Sequence, residues 1–127
     1  MKDSNCIFCK IVSGEIPTYK VYEDESFLAF LDIHPQSPGH VQVIPKEHRR
    51  WVWDLPAQAD VPGNISDYFK IVQKIAKAEQ KAFNTELIRS QIFGDEIAHA
   101  HIWVWPHEAT GEKTDFEGNA EKIRGNL

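Results

Sequence analysis

Residues 98–106 read Ala98-His99-Ala100-His101-Ile102-Trp103-Val104-Trp105-Pro106. Side chains alternate in period two, as a strand requires, because successive residues of an extended chain point to opposite faces. Ala98, Ala100, Ile102 and Val104 then line one small, apolar face, and His99, His101, Trp103 and Trp105 line the other. Pro106 closes the run, since proline cannot continue a ladder. Two imidazoles two residues apart on one strand face stand roughly 6–7 Å apart at Cα. That separation suits a shared metal, a shared anion, a nucleophile beside its supporting neighbour, or two surface histidines on an edge strand. The strand alone does not choose between them.

The chain has 127 residues, 42% hydrophobic and 26% charged, the composition of one ordinary globular domain over residues 1–127. A net charge of −5 argues against a general nucleic-acid binder, which is normally basic, but leaves room for a nucleotide held by local dipoles. No 18-residue apolar run suggests a membrane span, and the first residues lack the apolar core of a signal peptide. A cytoplasmic protein is expected. In that compartment two cysteines point to a metal or catalytic pair rather than a disulfide.

Cys6-Ile7-Phe8-Cys9 sets two thiols one helical turn apart or around a tight knuckle, and Gly14 and Pro17 end any helix there early. As a zinc site the pair needs two further ligands. Thr18–Glu23 and Phe27–Leu31 read as a hairpin, followed by a proline-punctuated loop and a third strand over His40–Ile44. Asp32, at the end of the second strand, and His34 in the loop have bland readings as a turn-former and a solvated side chain. Trp51-Val52-Trp53 reads as packing rather than base stacking, since no basic surface surrounds it.

Asn64 caps a predicted helix running to about Phe83, with Asp67 in its first turn and an apolar stripe of Tyr68, Phe69, Val72, Ile75, Ala76 and Phe83. A fourth strand over Glu86–Phe93 turns at Gly94-Asp95-Glu96 into the histidine strand. The last stretch, 108–127, reads as a polar tail with a short helix near Glu121–Arg124. The sum is an α+β domain on a five-stranded, mainly antiparallel sheet, with one long helix and a short N-terminal one.

Over roughly residues 5–107 the chain resembles the histidine triad (HIT) family, in its small nucleotide-hydrolase (Hint-like) branch. The segments carrying the resemblance are Cys6-Ile7-Phe8-Cys9-Lys10-Ile11, Gly14-Glu15-Ile16-Pro17, Leu28-Ala29-Phe30-Leu31-Asp32-Ile33, Pro38-Gly39-His40-Val41, Val43-Ile44-Pro45-Lys46-Glu47-His48 and His99-Ala100-His101. The resemblance implies a five-stranded fold, a homodimer and a purine nucleotide site. It implies that His101 attacks the α-phosphate, with His40 and His99 beside it. It implies Asp32 at the ribose, Phe8, Ile11, Ile16 and Phe30 around the base, and the Gly94 backbone at the phosphate. A neutral imidazole is nucleophilic near pH 7, so the residue types suit that chemistry.

The resemblance also supplies the missing ligands. In bacterial-type members zinc sits on two cysteines, the histidine after the Pro-Lys segment and the first triad histidine, here Cys6, Cys9, His48 and His99. Four such ligands close a tetrahedral structural site.

The pattern is broken in three places. Trp103 stands where the third histidine belongs, at the edge of the nucleotide site, and can donate a hydrogen bond but not shuttle a proton. Glu96 replaces a small hydroxyl residue near the phosphate, where a carboxylate repels an anion unless it turns away. The preceding segment is short, leaving only Gln91 as a counterpart to the family's asparagine. Two functions follow: a zinc-stabilised phosphoramidase or nucleotide hydrolase, or a nucleotide-binding adaptor with little turnover.

Overall fold

The computed structural model describes Asp3 and residues 5–127. In chain order they form α1 (Ile7–Ser13), β1 (Lys20–Glu23), β2 (Phe27–Leu31), β3 (Val41–Pro45), a 3₁₀ turn (Val52–Asp54), α2 (Ile65–Ala82), β4 (Ile88–Phe93), β5 (His101–Pro106) and α3 (Phe116–Arg124). The five strands make one antiparallel sheet in the order β1-β2-β3-β5-β4, so β5 inserts between β3 and β4. The expected α+β architecture is the observed one.

Alternation along the strands divides the sheet into two faces. Ala29, Leu31, Val41, Val43, Ile102 and Val104 face α2 and α3 in the larger core. Leu28, Phe30 and Ile44 face the other way and pack with Phe8, Cys9 and Ile11 of α1. On β5, His101 and Trp103 share that second face, and Gln42 pairs directly with Trp103. The large core is the scaffold, and the smaller face carries the chemistry-bearing side chains.

α2 begins where the sequence places it. The Asn64 side-chain oxygen accepts the Asp67 amide at 2.8 Å, a cap that contributes about 1 kcal/mol. Tyr68, Ile71, Ile75 and Ala78 form its buried stripe. Phe69 does not join it: at 40% exposure it lies outside, and Ile71 takes the inward position. Tyr68 donates from its hydroxyl to the Val43 carbonyl at 2.6 Å and stacks on Phe27, locking the helix to the sheet.

Three further expectations are corrected. Residues 98–100 are outside the ladder: the Ala100 amide donates to the Arg49 carbonyl at 2.7 Å, and pairing with β4 starts at His101. Trp53 is not packed; it is 65% exposed, while Val52 between the tryptophans is fully buried. The final helix starts earlier than expected, at Phe116, capped by Asp115. Ala120 and Ile123 enter the main core, and Phe116 stacks on Tyr19, so the segment is a packed element rather than a polar appendage.

Candidate active site and metal centre

α1 starts at a cluster of two cysteines and two histidines. Cys6 is its N-cap and accepts the Cys9 amide on sulfur, so the helix geometry itself brings the two thiols onto one side. The Asp3 amide lies 3.4 Å from Cys9 Sγ. His99, fully buried just before β5, and His48, just after β3, complete the group, with all four ligand atoms within 4.8 Å of one another.

The donor chemistry of this cluster can be tested against zinc. His99 Nε2 lies 2.8 Å from the Pro45 carbonyl, which can only accept, so the proton sits on Nε2 and Nδ1 presents a lone pair. That Nδ1 stands 3.2 Å from His48 Nδ1, 3.4 Å from Cys6 Sγ and 3.6 Å from Cys9 Sγ, and Cys9 Sγ is 3.2 Å from His48 Nδ1. Zinc–nitrogen bonds near 2.0 Å and zinc–sulfur bonds near 2.3 Å at tetrahedral angles give edges of roughly 3.3 Å for N···N and 3.6 Å for N···S. Those four edges match to within about 0.4 Å on that basis, and the other two lie within 4.8 Å. Burial holds His99 down at about 4, which keeps it the neutral imidazole a metal requires, and raises the Cys9 thiol, a cost to the thiolate that a bound cation would offset. The residues fit the metal.

His101 is tied to this cluster through the backbone. Its Nδ1–H donates to the His99 carbonyl at 2.8 Å, leaving Nε2 as the lone-pair nitrogen. Its ring is wedged between Phe8, edge-on at 5.0 Å, and Phe93, stacked at 5.3 Å with planes 15° apart. Burial holds His101 below the ordinary imidazole range, against an opposing pull from the His99 carbonyl and from Asp95, Asp32 and Glu96. It is therefore a neutral base in a fixed orientation, opening on a cavity of about 450 Å³.

Asp32, Gln42, Phe93, Glu96 and Trp103 share that cavity wall with His101. Asp32 is braced on both oxygens, by the His34 amide at 2.8 Å and by Gln42 Nε2 at 3.0 Å. His40 sits behind it. The Gln36 amide donates to His40 Nδ1, so Nε2 carries the proton, 3.8 Å from Asp32 Oδ2. Burial holds His40 down at about 4. Trp103 packs edge-on against His40 at 4.6 Å, and its indole nitrogen, like His40 Nε2, has no hydrogen-bond partner among the described residues.

The sequence-derived residues thus separate into layers. Asp32, His101 and Trp103 line the cavity. Phe8, Ile11 and Phe30 are buried in the apolar cluster behind His101, and Ile16 packs partly buried against it. Gly94 is buried at the end of β4, where a Cβ would lie 2.4 Å from the Arg50 carbonyl and 2.6 Å from the Trp51 ring. The approach of Arg50 and Trp51 alone demands glycine there. Gln91 pairs with Trp103 on β4, but is not among the cavity-lining residues. Sequence reasoning missed Phe93 and Gln42 in the wall. The signal was cross-strand register, Phe93 opposite His101 and Gln42 opposite Trp103, which no local motif announces.

Comparison with known proteins identifies the family. The HIT domain model matches residues 13–110. The chain belongs to the HIT family. Adenosine 5'-monophosphoramidase HNT1 of Saccharomyces cerevisiae is 34% identical over 125 residues, covering 91% of this chain and 76% of the yeast protein. A Hit-like protein of Bartonella henselae superimposes with a TM-score of 0.83 at 39% identity over 100% of both chains. A Zn-bound histidine triad family protein of Mycobacterium smegmatis gives a TM-score of 0.81 at 30% identity, over 96% of this chain and 92% of that one. This HIT protein is thus similar, along most of its length, to an adenosine 5'-monophosphoramidase and to a Zn-bound histidine triad protein. No helix among its described residues is long and apolar enough to cross a membrane.

Proposed function

We propose that this HIT protein is a purine nucleoside phosphoramidase or related mononucleotide hydrolase working through a nucleotidyl-His101 intermediate. The observation that carries the reading is the tautomer of His101: Nδ1 is committed to the His99 carbonyl, and Nε2 faces the cavity as a neutral nucleophile. Nε2 attacks the α-phosphorus, the bond from phosphorus to the leaving nitrogen breaks, and the amine departs with a proton. Water then attacks phosphorus, the bond to Nε2 breaks, and AMP and free imidazole result. Trp103 has no proton to give at working pH, so the amine takes its proton from solvent in the cavity.

The remaining roles are those the family resemblance implies. Asp32, with its carboxylate already oriented, binds the ribose hydroxyls. Phe8, Ile11, Ile16 and Phe30 supply the apolar surround of the base. The family resemblance assigns the Gly94 backbone and His40 to the phosphate; of the residues named for the nucleotide, Trp103 is the one that lines the cavity beside His101. His99 positions His101 and, with Cys6, Cys9 and His48, holds zinc. The metal, when bound, supplies a structural clamp rather than a Lewis acid, since four protein ligands leave no open position. We read the protein as a cytoplasmic homodimer acting on small nucleotides rather than on nucleic acid or at a membrane.

Glu96 in the cavity wall favours a second reading, a nucleotide-binding or adaptor module with little turnover. Steady-state assays with adenosine phosphoramidate separate the two. The enzyme reading expects AMP release that His101→Ala abolishes. AMP binding without turnover in the wild-type protein supports the adaptor instead.

A further inference from the structure

The cavity at His101 has an unusual charge for a site that takes a phosphate. Three carboxylates border it, Asp32, Asp95 and Glu96, and no lysine or arginine does so among the described residues. Arg50, which reaches Gly94 from the segment after β3, is engaged elsewhere: its Nε donates to the Gly94 carbonyl at 3.1 Å and its guanidinium lies over the Trp51 ring. Asp32 is braced inward by the His34 amide and Gln42. Asp95 and Glu96 are exposed, at the mouth of the cavity. That the cavity is built for a ligand rests on a separate observation. His101 is only 6% exposed, and its Nε2 faces the cavity with no hydrogen-bond partner among the described residues.

We propose that Asp95 and Glu96 are a charge filter on the leaving group. They favour phosphoramidates whose departing amine carries a second, positive charge and exclude those ending in a carboxylate or phosphate. This rests on the phosphoramidase reading and narrows its substrate class. A mononucleotide bound with its α-phosphate at His101 Nε2 must direct its leaving group away from the apolar cluster of Phe8 and Phe30, which leaves the Asp95–Glu96 mouth. An ammonium there lies within a Debye length of two carboxylates and partly offsets their repulsion of the phosphate. A carboxylate or polyphosphate adds to that repulsion. Since both side chains are solvated, the preference is of moderate size and falls as salt rises.

The test uses three adenosine 5'-phosphoramidates: the unsubstituted compound, the 1,3-diaminopropane derivative and the β-alanine derivative. At low ionic strength the diamine compound should exceed the β-alanine compound in kcat/KM by about tenfold, shrinking to about threefold or less at high salt. In the Asp95→Asn/Glu96→Gln variant the ratio should fall to about two or below at either salt. A wild-type ratio near one, or a large ratio that survives in the variant, overturns the filter. The unsubstituted compound keeps the two claims apart. If the wild-type protein leaves all three intact, the phosphoramidase reading fails, and the same ratio is read as Kd by calorimetry on the uncleaved compounds. Equal Kd values, or no binding of either derivative, would then overturn the filter too.

Discussion

Phe93 stacks on His101 at 5.3 Å between ring centroids, and the two are cross-strand partners on β4 and β5. A directly opposed pair on one sheet face is the sheet's natural unit of side-chain positioning. With Phe8 on the other side and the His99 carbonyl on Nδ1, the stack leaves the imidazole one orientation. Phe93→Ala should therefore lower kcat/KM by about tenfold, chiefly through kcat, because a misaimed nucleophile is penalised in the reacting geometry more than in binding. Phe93→Tyr, which preserves the stack, should stay within about threefold of wild type on the same reasoning. Equal kcat values for the wild type and the alanine variant would show that the stack does not aim His101.

The metal centre predicts a coupled loss. Freshly purified protein should hold about one zinc per chain, and Cys9→Ser or His48→Ala should reduce that to about a tenth or less. Because His99 both belongs to the Cys6–Cys9–His48 cluster and accepts from His101, the same variants should lower the unfolding midpoint and also slow turnover. Elemental analysis with thermal unfolding checks both. Wild-type protein purified with under about half an equivalent of zinc would count against the assignment.

At the end of β4, the backbone passes too close to Arg50 for any side chain. Gly94→Ala would place a Cβ 2.4 Å from a carbonyl oxygen, a contact that only a backbone shift relieves. The expected destabilisation is about 1–3 kcal/mol, read as a lowered urea midpoint with an unchanged slope. An unaltered midpoint would mean that Arg50 and Trp51 can move aside freely.

His40 gives the acid limb of stability a definite sign. Burial holds it at about 4, against 6.5 for an ordinary imidazole, despite the opposing attraction of Asp32. Above pH 6.5 neither the folded nor the unfolded chain takes up a proton there. Between pH 6.5 and 4 the unfolded chain does and the folded chain does not, so stability falls as pH falls, by at most about 1.4 kcal/mol per pH unit. The groups around the ring, Asp32, the Gln36 amide, Trp103 and Trp105, include one charge, which moderates the slope. In His40→Gln the fall in urea midpoint between pH 6.5 and 5 should be shallower. Parallel curves for the two proteins would exclude His40 as the source.

Much of this could be read from residue order because the signals were local. Asn64 with Asp67 set the start of α2, and Gly14, with φ of 86°, ended α1. Period two on Ile102 and Val104 placed the core face of β5 correctly. The same alternation misled at its start. Residues 98–100 keep strand-like spacing while their backbone bonds to Arg49 instead of β4, and the pattern of side chains does not record where amides go. α3 was underread because Phe116, Ala120 and Ile123 are sparse among charges, and their burial depends on β1 and α2. The four candidate metal ligands come from segments 39 and 51 residues apart, so only family resemblance joined them before the structure brought them together. The cavity wall was least visible, since register and the short Gly94 loop decide which side chains meet His101.

The most direct test of the account is rapid quenching of wild-type protein with adenosine phosphoramidate, followed by intact-mass and peptide analysis under alkaline conditions that preserve phosphoramidates. The account predicts an adenylate adduct that forms within one turnover, maps to His101, and is absent from His101→Ala. AMP release with no adduct on His101, or with the adduct on another residue, would contradict it.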